Sequence, residues 1–354
     1  MAESLIFSNQ FYPDFNGIKV FNIYDANNST LMKNIVVFVI AFASLGNTSV
    51  AQDVRFSQFY ANPIYLNPSL AGMASEIRTI LVHRQQGNSI NGFTTSAFSI
   101  DGTLGTSSGY GLQIIKDVQL NNVINSIRIA SVVGHRIHIS KTAEIGMGLR
   151  VGYFQHVLDF GKLIFEDQLD QRYGVTNSTY EQLEMTSISG VDVSLGMIYA
   201  TKDFYAGATV SHLNKPANNF GATGTSKLPI RYTIHAGGFL RTNNFRKNEF
   251  KLSPNIIFEQ QGRFNYLHLG VYFGSEVWTF GAWYRVNDSV VSSLGLNLNK
   301  FRFGYSYDLP VTEAAPTLNR AHELTAAYSF KLSKKRKTKN RYKGKCLPFQ
   351  KYLF

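Results

Sequence analysis

One cysteine, Cys346, stands in 354 residues, which excludes an intramolecular disulfide and a cysteine-based zinc site. Charged residues are scarce at 16%, against about 25% in ordinary soluble domains. Proline is scarce too, at 9 residues. No apolar run reaches the roughly 20 residues that a membrane-spanning helix needs. A soluble globule with a charged coat and a protein with helical spans are therefore both poor fits. What is abundant points elsewhere: 29 Gly, 27 Phe and 19 Tyr. Low charge, many aromatics and many glycines without a spanning helix suggest β structure facing lipid.

The net charge of +12 belongs to the end of the chain. Residues 331–354 carry ten Lys or Arg and no acid, so removing them leaves +2 over the first 330 residues. This basic tail, 333–354, reads either as a solvated run or as an electrostatic contact with an acidic partner, cell-wall polymer or anionic lipid heads. Near the other end, Met32-Lys33-Asn34 precedes the apolar run Ile35–Leu45. A polar spacer then leads to Ser49-Val50-Ala51, a small-x-small cleavage pattern. Residues 32–51 thus read as a secretory signal peptide. Met32 reads as the start and 1–31 as an upstream or unstructured extension. Export removes the protein from nucleic acid, so no nucleic-acid partner is expected.

Residues 52–73 form an arm of a different kind. It carries two Asn-Pro steps, Asn62-Pro63 and Asn67-Pro68, among Phe59, Tyr60 and Tyr65, and ends at Gly72. Asn before Pro favours extended or turn backbone, and each Pro removes a donor. The arm is expected at the periplasmic entrance to the first strand. There it either plugs the barrel mouth or docks on a partner.

From 74 to 332 the signal has period two. Ile145, Met147, Leu149, Val151 and Tyr153 alternate with Gly146, Gly148, Arg150 and Gly152. Phe301, Phe303, Tyr305, Tyr307 and Leu309 alternate with Arg302, Gly304, Ser306 and Asp308. Side chains of a strand alternate between faces, so each segment has one apolar and one small or polar face. About fourteen such segments can be counted, the first two the weakest because Ile80-Leu81-Val82 breaks the alternation. Most approach the nine to eleven residues of a tilted membrane strand. The small, weakly charged second face suits a lumen better than the outer face of a soluble sandwich. The fold predicted is all-β: a transmembrane, antiparallel outer-membrane β-barrel of about 14 strands. Short turns are expected on one rim and long loops at 159–186, 214–229 and 310–319 on the other. Tyr110, Tyr153, Tyr199, Tyr205, Tyr232, Tyr266, Trp278, Tyr328 and Phe330 lie near strand ends as candidates for interfacial girdles.

No catalytic constellation is present. Gly304-Tyr-Ser306-Tyr-Asp308 departs from a nucleophile elbow at its fifth position and lies in a strand. His135 and His138 diverge in strand register, and His83, His212, His235, His268 and His322 stand alone. No metal, cofactor or catalytic residue is expected. The charged residues on the small face are Arg150, Asp192, Glu259, Arg285, Arg302, Asp308 and Glu323. A lipid-facing Arg at mid-depth costs about 2–4 kcal/mol, so these are expected to face the lumen. They read either as a salt-bridge network or as a solute path.

The stretch Gln58-Phe-Tyr-Ala-Asn-Pro-Ile-Tyr-Leu-Asn-Pro-Ser-Leu-Ala-Gly72 after a signal peptide resembles the start of the PorP/SprF family. The likeness continues at His83-Arg84-Gln85, Gly92–Thr95, Ser211-His212-Leu213-Asn214-Lys215-Pro216, Trp283-Tyr284-Arg285, Gly304–Asp308, His322-Glu323-Leu324, Tyr328-Ser329-Phe330 and Cys346-Leu347-Pro348-Phe349. Gln86 stands where the family usually has an aromatic. The resemblance implies a non-enzymatic outer-membrane barrel of a Gram-negative bacterium, with both ends in the periplasm. It implies a role in type IX secretion and gliding motility, through export, stabilisation or anchoring of a secreted surface protein or adhesin client. It also implies outer-membrane lipid and periplasmic secretion components, some peptidoglycan-linked, as partners. The alternative is a transporter or channel for a hydrophobic or small solute.

Overall fold

The computed structural model describes residues 53–330, apart from 75, 88–91, 141, 171, 173, 176–178, 181–185, 219, 221–226, 242–250 and 312–319. The signal peptide, the N-terminal extension and the basic tail lie outside the described residues. Fourteen long strands follow one another: β1 Ile77–Gln86, β2 Phe93–Leu104, β3 Ser108–Gln119, β4 Ile124–His138, β5 Ala143–Leu158, β6 Ser187–Thr201 and β7 Phe204–Ser211. They continue as β8 Arg231–Gly238, β9 Lys251–Gln261, β10 Phe264–Gly274, β11 Trp278–Arg285, β12 Ser289–Leu298, β13 Phe301–Pro310 and β14 Ala321–Phe330.

Each strand pairs antiparallel with its sequence neighbour. The sheet closes where β1 pairs β14, Ile77 opposite Phe330 and Gln86 opposite Ala321. Closure pairs the first strand with the last, so the sheet has no terminal edge strand, as hydrocarbon demands. No described helix is long and apolar enough to cross a membrane.

Period two sets the wall. In β5, Met147, Leu149, Val151 and Tyr153 are exposed outward, while Gly148 and Arg150 are buried inward. In β1 the order inverts: Leu81 is exposed, whereas Ile80 and Val82 are buried inside with Phe56, Ala97, Ile115 and Ala327. The broken alternation marks an apolar patch within the lumen that receives Phe56.

One rim, the terminal rim, holds the start of β1 and the end of β14. The other, the loop rim, holds the connections 159–186, 212–230 and 311–320. The expected rim asymmetry is incomplete. The tight connections 262–263 and 286–288 also lie on the loop rim, and 239–250 lies on the terminal rim. Asn287 (φ 58°) and Asn299 (φ 56°) take the left-handed conformation that lets a strand reverse in few residues. Two girdle candidates differ from expectation. Tyr205 is 1% exposed within the lumen, and Tyr266 points inward, where Arg55 lies 4.0 Å from its ring centroid. Their strand parity is shared with buried neighbours, which outranks proximity to a strand end.

Candidate functional site: a lumen filled by its own arm

The arm, expected at the periplasmic mouth, lies inside the barrel over its described residues, Asp53–Met73. Phe59, Tyr60, Asn62, Pro63, Asn67, Pro68 and Gly72 are buried and Tyr65 is half-buried. The Asn-Pro steps explain its compact path. Each Pro starts a short helical turn, Pro63–Leu66 and Pro68–Leu70, where a missing N–H costs nothing. The Asn62 carbonyl accepts from Tyr65 and Leu66 N–H at 3.1 and 3.2 Å. Asn67 Oδ1 accepts from Ser69 N–H at 3.0 Å. Its amide donates to the Met197 and Ala208 carbonyls at 3.0 and 3.3 Å and lies 3.1 Å from His235 Nε2. Asn62 Oδ1 accepts from Gln113 Nε2 at 3.0 Å.

The apolar side chains of the arm fill the middle of the lumen. Phe59, Tyr60, Leu66, Leu70 and Met73 form one core with Ile198, Tyr205, Ile257, Tyr272, Trp283 and Val291. Ring centroids of Phe59 and Trp283 lie 5.4 Å apart, and those of Tyr60 and Tyr205 6.0 Å apart. Small wall residues admit the arm. A Cβ on Gly148 would meet Ser69 N at 2.2 Å, and one on Gly304 would meet Gln58 Oε1 at 2.3 Å.

Three ionic centres hold the arm at three places. Near the terminal rim, Arg78 binds Asp101 through two contacts of 3.0 and 3.1 Å. Asp101 Oδ2 also accepts from Gly72 N–H at 3.0 Å. At the second centre, Asp308 receives Arg84 and Arg285, each at 2.9 Å, and Ser57 Oγ at 2.7 Å. Glu323 accepts from the backbone N–H of Ser57 and Gln58 at 2.6 and 3.0 Å. Arg285 Nη2 donates to the Phe56 carbonyl at 3.2 Å.

The third centre lies at the loop-rim end. Asp53 receives Arg128 at 2.7 Å and faces His212 Nε2 at 2.5 Å and Arg231 at 3.4 Å. His212 Nδ1 faces Asp192 at 2.9 Å. His212 reaches inward because its φ is +60°. Asn214 then bonds the free edge of β6, accepting from Val193 N–H at 3.2 Å and donating to the Val191 carbonyl at 2.6 Å. Burial opposes charge on both partners, but each is overruled by its neighbours. His212, Arg128 and Arg231 hold Asp53 well below the usual carboxylate range. Asp53 and Asp192 raise His212 above the usual imidazole value. Since Arg231 opens β8 and Gln261 closes β9 on the loop rim, the arm runs from that rim at Asp53 to the terminal rim at Gly72.

The seven charged residues read from the sequence are thus distributed. Arg285, Asp308 and Glu323 converge on Phe56, Ser57 and Gln58. Arg150 and Asp192 border the Asp53 centre. Glu259 sits 3.9 Å from His268, and Arg302 is half-buried on the inward parity of β13 near the terminal rim. Sequence reasoning missed Arg84, Arg128 and Arg231, whose parity would have flagged them. It also missed Asp53, which no periodic segment contains.

The sequence matches the family described as Type IX secretion system membrane protein PorP/SprF over residues 48–328. No curated protein matches. Among solved structures, the chain is similar to the outer membrane protein Omp33 of Acinetobacter baumannii at 6% identity and a TM-score of 0.41, over 72% of this chain and 99% of that one. It is similar to the KdgM porin in complex with disordered oligogalacturonate at 8% identity and a TM-score of 0.36, over 72% and 99%. It is also similar to the translocator domain of the autotransporter NalP from Neisseria meningitidis at 12% identity and a TM-score of 0.35, over 86% and 97%. At these scores the likenesses carry no argument, and the closed wall itself shows the barrel. The chain belongs to the PorP/SprF family and is a type IX secretion-associated β-barrel of the Gram-negative outer membrane.

Proposed function

We propose that this barrel is a non-enzymatic station of type IX secretion that holds a secreted surface protein or adhesin at its loop rim. The observation that carries this reading is the filled lumen. Asp53–Met73 occupies the space a solute would use and is bonded to the wall at three levels. The surfaces left for partners are the lipid-facing wall and the two rims.

On the loop rim, the 159–186 connection exposes Ile164 at 63%, Leu169 at 55%, Val175 at 54% and Tyr180 at 91%. Apolar groups beyond the strands and away from lipid suit a protein partner. The loop rim faces outward and the terminal rim faces the periplasm, following the usual asymmetry of such barrels. Periplasmic secretion components, including peptidoglycan-linked ones, then meet the terminal rim and the basic tail.

Deleting the gene should remove one surface protein, and replacing Ile164 and Tyr180 with Asp should do the same while leaving the barrel folded. An unchanged surface proteome after gene deletion would refute the reading. The transporter alternative predicts saturable solute flux in liposomes, which the filled lumen disfavours.

A further inference from the structure

The ionic centres of the lumen differ in balance. Arg78 and Asp101 are one to one. Arg84 and Arg285 face Asp308 and Glu323, with Asp288 a further 3.7 Å from Arg285, two to three. At the loop-rim end, Arg128, Arg150, Arg231 and His212 surround only Asp53 and Asp192. Both oxygens of Asp53 and Oδ1 of Asp192 are already engaged. Asp53 takes Arg128, His212, Arg231 and Gln261, and Asp192 takes His212. Glu259 lies on the far side of Arg231, in a second hollow that it shares with Arg55.

Arg150 is 6% exposed and reaches only neutral oxygens: the Tyr65 carbonyl at 3.2 Å, Ser194 Oγ at 3.0 Å and Ser211 Oγ at 3.2 Å. Arg231, also 6% exposed, leaves Nε without a partner. Both guanidiniums lie over the Tyr65 ring, at 5.8 and 5.2 Å from its centroid. Arg231 shares Asp53 with Arg128 and His212, so buried positive charge here exceeds negative charge, which is costly.

Between these groups lies a cavity of about 40 Å³, lined also by Ile115, Gly152 and Leu228. By this measure a water needs about 10–15 Å³, so the space takes a few waters or one small anion. Arg128 and Asp192, which also line it, have side chains 23% and 19% exposed.

We infer that this cavity is a binding site for one small monovalent anion of halide size, held by Arg150 and Arg231. The anion supplies the missing counter-charge and fastens the loop-rim end of the arm, because Tyr65 belongs to the arm and touches both arginines. The inference is independent of the secretion partner.

The test uses crystals of the full-length protein soaked in sodium bromide and measured by anomalous scattering. One bromide peak is expected in the cavity beside Arg150 and Arg231, lost in Arg150→Gln. The second measurement uses wild-type protein alone. Replacing gluconate, too large for the cavity, by bromide at constant ionic strength should raise the unfolding midpoint in detergent by about 2–4 °C. A cavity empty of bromide, a peak that survives Arg150→Gln, or identical midpoints in the two salts would overturn the inference.

Discussion

Arg84 illustrates what a single side chain does in this lumen. It spans Asp308 at 2.9 Å and Glu323 at 3.5 Å, with Ser57 of the arm held between them. Arg84→Leu leaves two carboxylates to Arg285 alone, and breaking one partner of a buried network costs about 3–5 kcal/mol. The expected outcome is a lower unfolding temperature of the detergent-solubilised barrel, read as the temperature at which its folded band disappears from a gel. Adding Asp308→Leu should recover part of the loss.

Asp53 and His212 give the lumen a pH dependence with a definite sign. The folded Asp53 is more acidic than in the unfolded chain, so its contribution holds above the ordinary carboxylate pKa, near 4. It is lost as pH falls through its lowered value. The folded His212 is more basic than in the unfolded chain. Its contribution is complete below about 6.5 and is lost as pH rises through its raised value. The difference in unfolding midpoint between wild type and His212→Gln should therefore be largest near pH 5–6 and shrink at alkaline pH. A difference that grows with alkaline pH would contradict the assignment.

At this scale the sequence was only partly legible. Arg285, Asp308 and Glu323 declared themselves by alternating with apolar residues. His212 did not, because it lies beyond the last residue of β7 and turns inward through a left-handed backbone.

Among elements, the strands were legible and the arm's place was not. Period two needs no partner to be seen, since each strand presents one face to lipid and one to the lumen. The arm has no period. Its position depends on what the wall offers it: the room at Gly148, the patch at Ile80 and Val82, and the N–H acceptors of Glu323. The break at Ile80-Leu81-Val82 was visible in the sequence but weakened the strand assignment, when it marked the seat of Phe56.

Three predictions belong here. Phe56→Ala should cost about 3–5 kcal/mol, the usual loss for a buried aromatic, measured against Phe301→Ala on the lipid face. Gly148→Val forces a branched side chain onto the backbone of Pro68 and Ser69, so the arm should become open to protease while the strands stay protected. The paired replacement Pro63→Ala and Pro68→Ala acts more gently, by about 0.4–1 kcal/mol each, through the freer unfolded chain.

For the whole molecule, the wall and the filling divide the work. The wall meets the bilayer's demand that every backbone group be paired, and the arm removes the hollow that a wide barrel otherwise encloses. The result is a barrel whose lumen is occupied by Asp53–Met73. Fold class and family were legible at this scale because the strand count, the aromatic wall and the Asn-Pro stretch all survive in one dimension. The direction of the arm was not, because Asp53 meets Arg128, His212, Arg231 and Gln261 only after β4, β7, β8 and β9 have been brought together.

The central claim is that the barrel is closed by its own chain. Single-channel recording of the full-length protein in a planar bilayer tests it most directly. The filled lumen predicts no steady conductance in wild type, with current steps appearing when Asp308→Asn and Glu323→Gln together loosen Ser57 and Gln58. A stable, ohmic conductance in the wild-type protein would contradict it.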